Sequence, residues 1–183
     1  FGIKRLIERI STKNSKGGRE GGVIWHTTGS GKSFTMVFLS KAMILHETLK
    51  KCRILVVTDR VDLEDQLSKT FVSGGELAGK KDKQNAMATS GKRLAEQIGK
   101  GTERIMFSLI QKFNSATKLP ECVNTSSDFI VLIDEGHRSQ GGENHVRMKL
   151  ALPNAAFVAF TGTPLLKDEK TVNKFGPIVH AYT

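Results

Sequence analysis

The stretch His26-Thr27-Thr28-Gly29-Ser30-Gly31-Lys32-Ser33 decides how this chain folds. Before it, the apolar run at residues 22–25 predicts a short buried strand, and after it residues 34–50 predict a helix. A glycine-rich turn between a strand and a helix is the setting of a phosphate-binding loop. Glycines in such a turn let backbone N–H groups approach a polyphosphate, because they carry no Cβ. The stretch therefore predicts a nucleotide-binding loop.

Within this loop, Thr28, Gly29, Ser30 and Gly31 would form the backbone cradle, and two polar side chains follow. Lys32 would reach the β- and γ-phosphates of ATP, and the Ser33 hydroxyl would take a place on Mg²⁺. The usual pattern G-x-x-x-x-G-K-[ST] has glycine at the position of His26. The alternative is a Gly/Ser turn followed by an ordinary solvated lysine.

Composition narrows the class of protein. The 183 residues are 38% hydrophobic, which is enough for one domain with a buried core. A net charge of +10 favours a polyanionic partner, and nucleic acid is the leading candidate. Two cysteines argue against a disulfide scaffold and a cysteine zinc site. Neither a signal peptide nor a membrane span is predicted, so we expect a cytoplasmic protein. Because the sequence begins without methionine, we also expect it to be a piece of a longer chain.

Alternation of strands and helices predicts a three-layer α/β domain with a mainly parallel sheet. A short amphipathic helix and a flexible connector rich in glycine, serine and lysine are predicted at residues 1–21, before the main domain at residues 22–183. Apolar runs that are rich in β-branched and aromatic residues predict the further strands, which are residues 53–58, 104–108, 129–133 and 155–160.

Polar residues follow each predicted strand, at the edge where α/β sheets bind ligands. An acidic residue at a strand end opposite a phosphate loop is placed to hold Mg²⁺, which is the role predicted for Asp134. Glu135 would orient and deprotonate an attacking water. A helix N-cap is the alternative for this acidic pair. We interpret His137 as a hydrogen-bonding link to Thr161 or Thr163, with a plain surface histidine as the alternative.

These motifs resemble those of a known family. The stretches 28–33, 134–137 and 161–163 look like motifs I, II and III of the superfamily 2 helicases of the DExH-box group. Residues 25–27, 57–60 and 135–140 look more narrowly like the motor subunit of type I restriction enzymes, in which a histidine at the position of His26 is ordinary. The resemblance covers roughly residues 22–183 and implies the first RecA-like lobe of a motor.

The resemblance implies roles position by position. Lys32 and Ser33 match phosphate and Mg²⁺ contacts, Asp134 and Glu135 match the metal-binding and water-activating pair, and Thr161 and Thr163 match residues that couple hydrolysis to movement. Four residues match positions that lie along the DNA backbone in this family, and these are Arg60, Ser108, Gln111 and Lys112. Such contacts position a motor without reading sequence.

The partners that the resemblance implies are duplex DNA, a second RecA-like lobe and a nuclease domain of the same full-length chain, and methyltransferase and specificity subunits. Movement along duplex DNA rather than strand separation is implied. Because the second lobe supplies an arginine finger, we expect the isolated chain to bind nucleotide weakly and hydrolyse it poorly. The alternatives are a nucleic-acid-binding module with a vestigial nucleotide site, another superfamily 2 helicase, and a small-molecule kinase or signalling NTPase.

Overall fold

A computed structural model describes residues 2–26, 31–59, 61–73, 84–134, 142–162 and 177–182 of the chain. Within these residues six strands form a single sheet in which all pairings are parallel. The strands are β1 (Gly22–His26), β2 (Arg53–Thr58), β3 (Ile105–Leu109), β4 (Phe129–Asp134), β5 (Ala156–Thr161) and β6 (Ile178–Tyr182). Five of these confirm predicted strands, whereas β6 was not predicted.

Helices cover both faces of the sheet. The helices are α1 (Gly2–Ser11), α2 (Lys32–Leu45), α3 (Val61–Ser73), α4 (Gly91–Gly99), α5 (Lys112–Ala116) and α6 (Gly142–Ala151). The first three contribute to one buried cluster and the last three to the other. The predicted three-layer α/β architecture is therefore confirmed, and α2 is shorter at its end than the predicted helix at residues 34–50.

Strand side chains alternate between the two clusters, because successive residues of a strand point to opposite faces. In β4, for example, Ile130 and Leu132 pack with α1 to α3, whereas Val131 and Ile133 pack with α4 to α6. All six residues of β4 are buried. A strand that is covered on both faces reads as a continuous apolar run, which is why residues 129–133 were predicted correctly as a buried strand.

The strand order is β3-β2-β4-β5-β1-β6. Strand β5 consequently lies between β4 and β1, with Asp134 in register with Phe160 and Trp25 in register with Thr161. Because every strand is parallel, their carboxyl ends meet at one edge of the sheet. This topology brings the end of β4 and the start of α2 to the same edge, although about a hundred residues separate them in sequence.

The segment between α1 and β1 is organised around a buried arginine, where the sequence predicted a flexible connector. Arg19 is 5% exposed, and its main-chain N–H donates to Asn154 O at 3.1 Å. Its guanidinium donates to three carbonyls and one carboxylate, which are Ser127 O at 2.7 Å, Ile10 O at 3.1 Å, Ser11 O at 3.2 Å and Asp128 Oδ1 at 3.1 Å. This arginine joins the end of α1 to the start of β4.

Among the described residues, no helix is both long and apolar enough to cross a membrane.

Candidate functional site

Helix α2 begins at a glycine in the left-handed conformation. Gly31 has φ +78° and is the N-cap of α2, and its carbonyl accepts from the Thr35 N–H at 3.0 Å. Among the described residues, a Cβ at this position would meet nothing within 4 Å, so the backbone angle rather than space explains the glycine. In the described part of the chain, no side-chain hydrogen bond caps the helix start. Helix N-terminal N–H groups that lack a side-chain cap, together with the helix dipole, favour an anion at this point.

The central contact of the site is an ion pair between Lys32 and Asp134. Lys32 Nζ lies 3.0 Å from Asp134 Oδ1, and the two side chains are 18% and 3% exposed. A lysine in the first turn of a helix opposes the helix dipole, and the first turn of α2 contains no acidic residue. The negative charge of the Asp134 carboxylate offsets the Lys32 ammonium and the positive end of the α2 dipole. The pair therefore joins the predicted phosphate-binding lysine to the predicted metal-binding carboxylate.

Thr161 lies at the same edge. It ends β5, the strand between β4 and β1, and it is fully buried. Its partner in the register of β1 is Trp25, one residue before the last residue of that strand. The structure thus brings Lys32, Asp134 and Thr161 to one edge of the sheet, while Ser33 is half-buried in the first turn of α2.

Several predicted site residues lie outside the described part of the chain. These are the cradle residues Thr28, Gly29 and Ser30, the proposed base Glu135, the coupling residues His137 and Thr163, and the DNA-binding candidate Arg60. Their predicted roles stay predictions.

The residues that are described fit a nucleotide with Mg²⁺. The helix start and Lys32 supply positive potential for phosphates, and Ser33 and Asp134 supply the hydroxyl and carboxylate oxygens that Mg²⁺ prefers. Among the described residues, no group of three or more histidine, cysteine, aspartate or glutamate side chains is arranged to hold a metal ion. Mg²⁺ in nucleotide sites commonly has one or two protein ligands and completes its coordination with phosphates and water. The two oxygen donors described here, from Ser33 and Asp134, are consistent with this way of binding Mg²⁺.

A second polar region follows β3, at the end of the neighbouring strand β2. Gln111 Nε2 donates to Asp59 O at 2.9 Å, and the Ile110 N–H donates to Thr58 O at 2.8 Å. The turn that contains the predicted DNA-binding residues is thus bound to the end of β2. Its geometry is fixed by main-chain carbonyls on the adjacent strand.

The three DNA-binding candidates in the described residues differ in exposure. Gln111 is exposed, whereas Ser108 is fully buried and its hydroxyl donates to the carbonyl of Leu109. Lys112 Nζ donates to Ala88 O and lies 3.9 Å from Glu64 Oε2, with 20% of its side chain exposed. Gln111 therefore presents its side chain to solvent, while Lys112 faces the interior.

Glu64 was not among the residues predicted from the sequence. Its side chain is 9% exposed, and burial raises the pKa of its carboxyl, an effect that the Lys112 ammonium partly offsets by lowering the pKa. Glu64 lies on the same face of α3 as Leu67 and Phe71, at helical spacing of three and seven residues. A carboxylate on the buried face of a helix is the signal that could have identified it.

The chain is similar to known proteins over its whole length. The family described as SWI2/SNF2 ATPase matches residues 1–183. The type I restriction enzyme HindI endonuclease subunit of Haemophilus influenzae is 37% identical over 100% of the chain and 19% of its own length. The type I restriction enzyme SsaAORF53P endonuclease subunit of Staphylococcus saprophyticus is 33% identical over 98% of the chain and 19% of its own length. The chain spans about a fifth of the length of these curated relatives.

Solved structures support the fold. The Hef helicase domain of Pyrococcus furiosus is 17% identical and covers 98% of the chain and 36% of its own chain, with a TM-score of 0.66. The UvsW helicase of bacteriophage T4 is 12% identical and covers 100% of the chain and 58% of its own chain, with a TM-score of 0.60. The fold is therefore that of a RecA-like helicase domain.

Proposed function

The chain belongs to the SWI2/SNF2 ATPase family, and from this premise we propose that it is the ATP-binding first motor lobe of a DNA translocase in a type I restriction enzyme. It is a helicase-like ATPase domain, similar to the endonuclease subunits of such enzymes. The ion pair between Lys32 and Asp134 is the observation that carries the proposal, because it joins the two halves of the predicted nucleotide site at 3.0 Å.

In this proposal the cradle of residues 28–31 and the start of α2 bind the phosphates of ATP. Lys32 binds the β- and γ-phosphates, and Ser33 and Asp134 hold Mg²⁺. When bound, Mg²⁺ neutralises negative charge on the phosphates. Because a buried carboxylate without a partner is unfavourable, the Lys32 ammonium stabilises Asp134 in the protein without nucleotide. Glu135 is the proposed general base for the attacking water.

Coupling to movement is assigned to residues at the end of β5 and after β4. We propose this role for Thr161, the buried last residue of β5, because β5 lies between β4 and β1. His137 and Thr163 are proposed to act with it through hydrogen bonds. A change at the nucleotide would reach the rest of the motor through this strand end.

Contacts with DNA are assigned to the turn after β3 and to Arg60. Gln111 is the exposed residue of this turn, and we propose that it donates to a phosphate oxygen. Lys112 would hold the turn through its contacts with Ala88 O and Glu64, and Ser108 through its contact with Leu109 O. The net charge of +10 supports binding to a duplex backbone.

The proposed setting is a cytoplasmic restriction complex. The longer chain would supply a second RecA-like lobe and a nuclease domain, and methyltransferase and specificity subunits would complete the enzyme. The isolated 183 residues would hydrolyse ATP poorly, because the second lobe supplies the arginine finger. Brisk turnover by the isolated chain that is abolished by Glu135→Gln would contradict this last point.

The test compares Lys32→Ala with Lys50→Ala in the full-length subunit. Lys50 is exposed and follows α2, so it serves as the charge-matched control. We expect Lys32→Ala to weaken Mg²⁺-ATP binding by roughly 10- to 100-fold, since charge-assisted hydrogen bonds contribute about 1.5–3 kcal/mol. Isothermal titration calorimetry measures the affinity, and circular dichroism checks that the variant is folded.

Unchanged ATP affinity in Lys32→Ala, with DNA binding intact, would favour a nucleic-acid-binding module with a vestigial nucleotide site. A preference for GTP would favour a signalling NTPase. For the DNA contacts, Gln111→Ala should weaken duplex binding equally for all sequences. Affinity should fall steeply between about 50 and 200 mM salt, and a flat salt dependence would contradict a backbone-tracking motor.

A further inference from the structure

Helix α2 carries a line of large apolar side chains that face solvent. Phe34, Phe38 and Leu45 are 60%, 58% and 84% exposed. Their spacing of four and seven residues places them on one side of the helix. We call these three residues the α2 stripe. The opposite side of α2 is buried against the sheet through Met36, Leu39 and Met43.

The side chains of the α2 stripe therefore do not belong to the face that packs α2 against the sheet. Isolated apolar side chains on a surface are normal, but a row of them on one element marks an interaction site. Taking about 200 Å² for a fully exposed side chain of this size, the three residues expose roughly 400 Å². Lys41, on the same side, is half-buried.

We propose that the α2 stripe is the docking surface for another domain of the same, longer polypeptide. Interfaces between separate proteins commonly bury about 800 Å² on each partner, about twice what the stripe offers. A tethered domain needs less area, because a linker holds it at an effective concentration in the millimolar range. Interfaces between domains of one chain begin near 600 Å² in total, or roughly 300 Å² on each side.

The length of the relatives supports a tethered partner. Each of the two restriction enzyme subunits described above is about five times as long as the aligned region, since the alignment covers 19% of it. The proposal rests on the longer subunit of the proposed function. It specifies the chemistry of the docked surface, which is an apolar face that accepts two phenylalanine rings and a leucine.

The α2 stripe begins next to the residues that are proposed to bind nucleotide. Phe34 directly follows Ser33, in the same helical turn as Lys32. A domain docked on the stripe would thus pack against the helix whose first turn faces the phosphates. Its docking would restrain the start of α2, and through Lys32 it would restrain the contact with Asp134.

The experiment is hydroxyl-radical footprinting of the full-length subunit, with the urea-unfolded subunit as reference. At 84% exposure, Leu45 should be oxidised nearly as fast in the folded as in the unfolded chain if nothing covers it. We expect instead at least tenfold protection of Leu45 in the folded wild-type subunit. In Phe38→Glu this protection should be lost, while the matched control Lys50→Glu, an exposed position off the stripe, should retain it.

Two results would overturn the proposal. One is oxidation of Leu45 near the unfolded rate in the wild-type subunit. The other is protection that disappears on dilution together with dissociation of a dimer, measured by light scattering, because a second copy would then be the occupant. Footprinting requires neither ATP nor DNA, so its outcome is separate from that of the Lys32→Ala experiment.

Discussion

Replacing Arg19 by methionine should strongly destabilise the protein. The guanidinium makes four contacts of 2.7–3.2 Å, three with main-chain carbonyls and one with Asp128. The Arg19 side chain is 2% exposed, whereas Asp128 is 46% exposed, so water can replace the arginine at the carboxylate. The carbonyls of Ile10 and Ser127 would lose their buried donor. At roughly 1–1.5 kcal/mol for each contact that water does not replace, we expect a loss of about 3 kcal/mol.

A loss of this size is a large fraction of the total stability of a domain, which is about 5–15 kcal/mol. For a domain of this length it corresponds to a decrease in Tm of roughly 6–12 °C. Urea denaturation followed by circular dichroism measures the free energy of unfolding. Arg104→Met, at an exposed arginine, is the matched control and should change stability by less than about 0.5 kcal/mol. A loss of under 1 kcal/mol in Arg19→Met would refute the view that this arginine holds α1 to the start of β4.

Three further predictions follow from the described residues. Gly31→Ala should cost about 1–2 kcal/mol in urea denaturation because φ is +78°, since no described residue lies within 4 Å of the added Cβ. Burial raises the pKa of Glu64, so its neutral form stabilises the fold and this contribution is lost as pH rises above 4.5. Glu64→Gln should therefore flatten the fall in stability between pH 4.5 and neutral pH, measured by urea denaturation at each pH. Burial raises the pKa of Cys122 from 9.0 to about 11, so iodoacetamide at pH 8 should modify it at least ~100-fold more slowly than a free cysteine, and rapid modification would contradict its burial.

The central sheet could be predicted from sequence because its strands carry their own signal. Residues 53–58 and 129–133 are continuous apolar runs, and a strand covered on both faces requires such a run. Strand β6 lacks this signal, since it has only five residues and His180 interrupts its apolar run. Its pairing with β1, rather than its own composition, identifies it as a strand.

The nucleotide site could be predicted only in part. Gly31 and Lys32 follow from a local motif, but the contact between Lys32 and Asp134 depends on a strand order that local sequence does not encode. The other contacts that were not predicted join residues that are far apart in the sequence. The partners of Arg19 lie as far as 109 residues away, so a stretch rich in glycine and serine gave no indication of them. The contact of Lys112 with Glu64 joins two separate helices, so the local sequence around Lys112 gave no indication of it.

Strand β5 sets the distance between β4 and β1. Because it lies between β4 and β1, those two strands are separated by two interstrand spacings, or about 9.6 Å. The chain leaves β5 through Gly162, directly after Thr161. Tension applied to the chain beyond Gly162 would therefore act first on β5, which lies between β1 and β4, the strand that ends at Asp134. Mechanical load on this part of the chain would thus reach the end of β4, where Asp134 lies in register with Phe160, through one neighbouring strand.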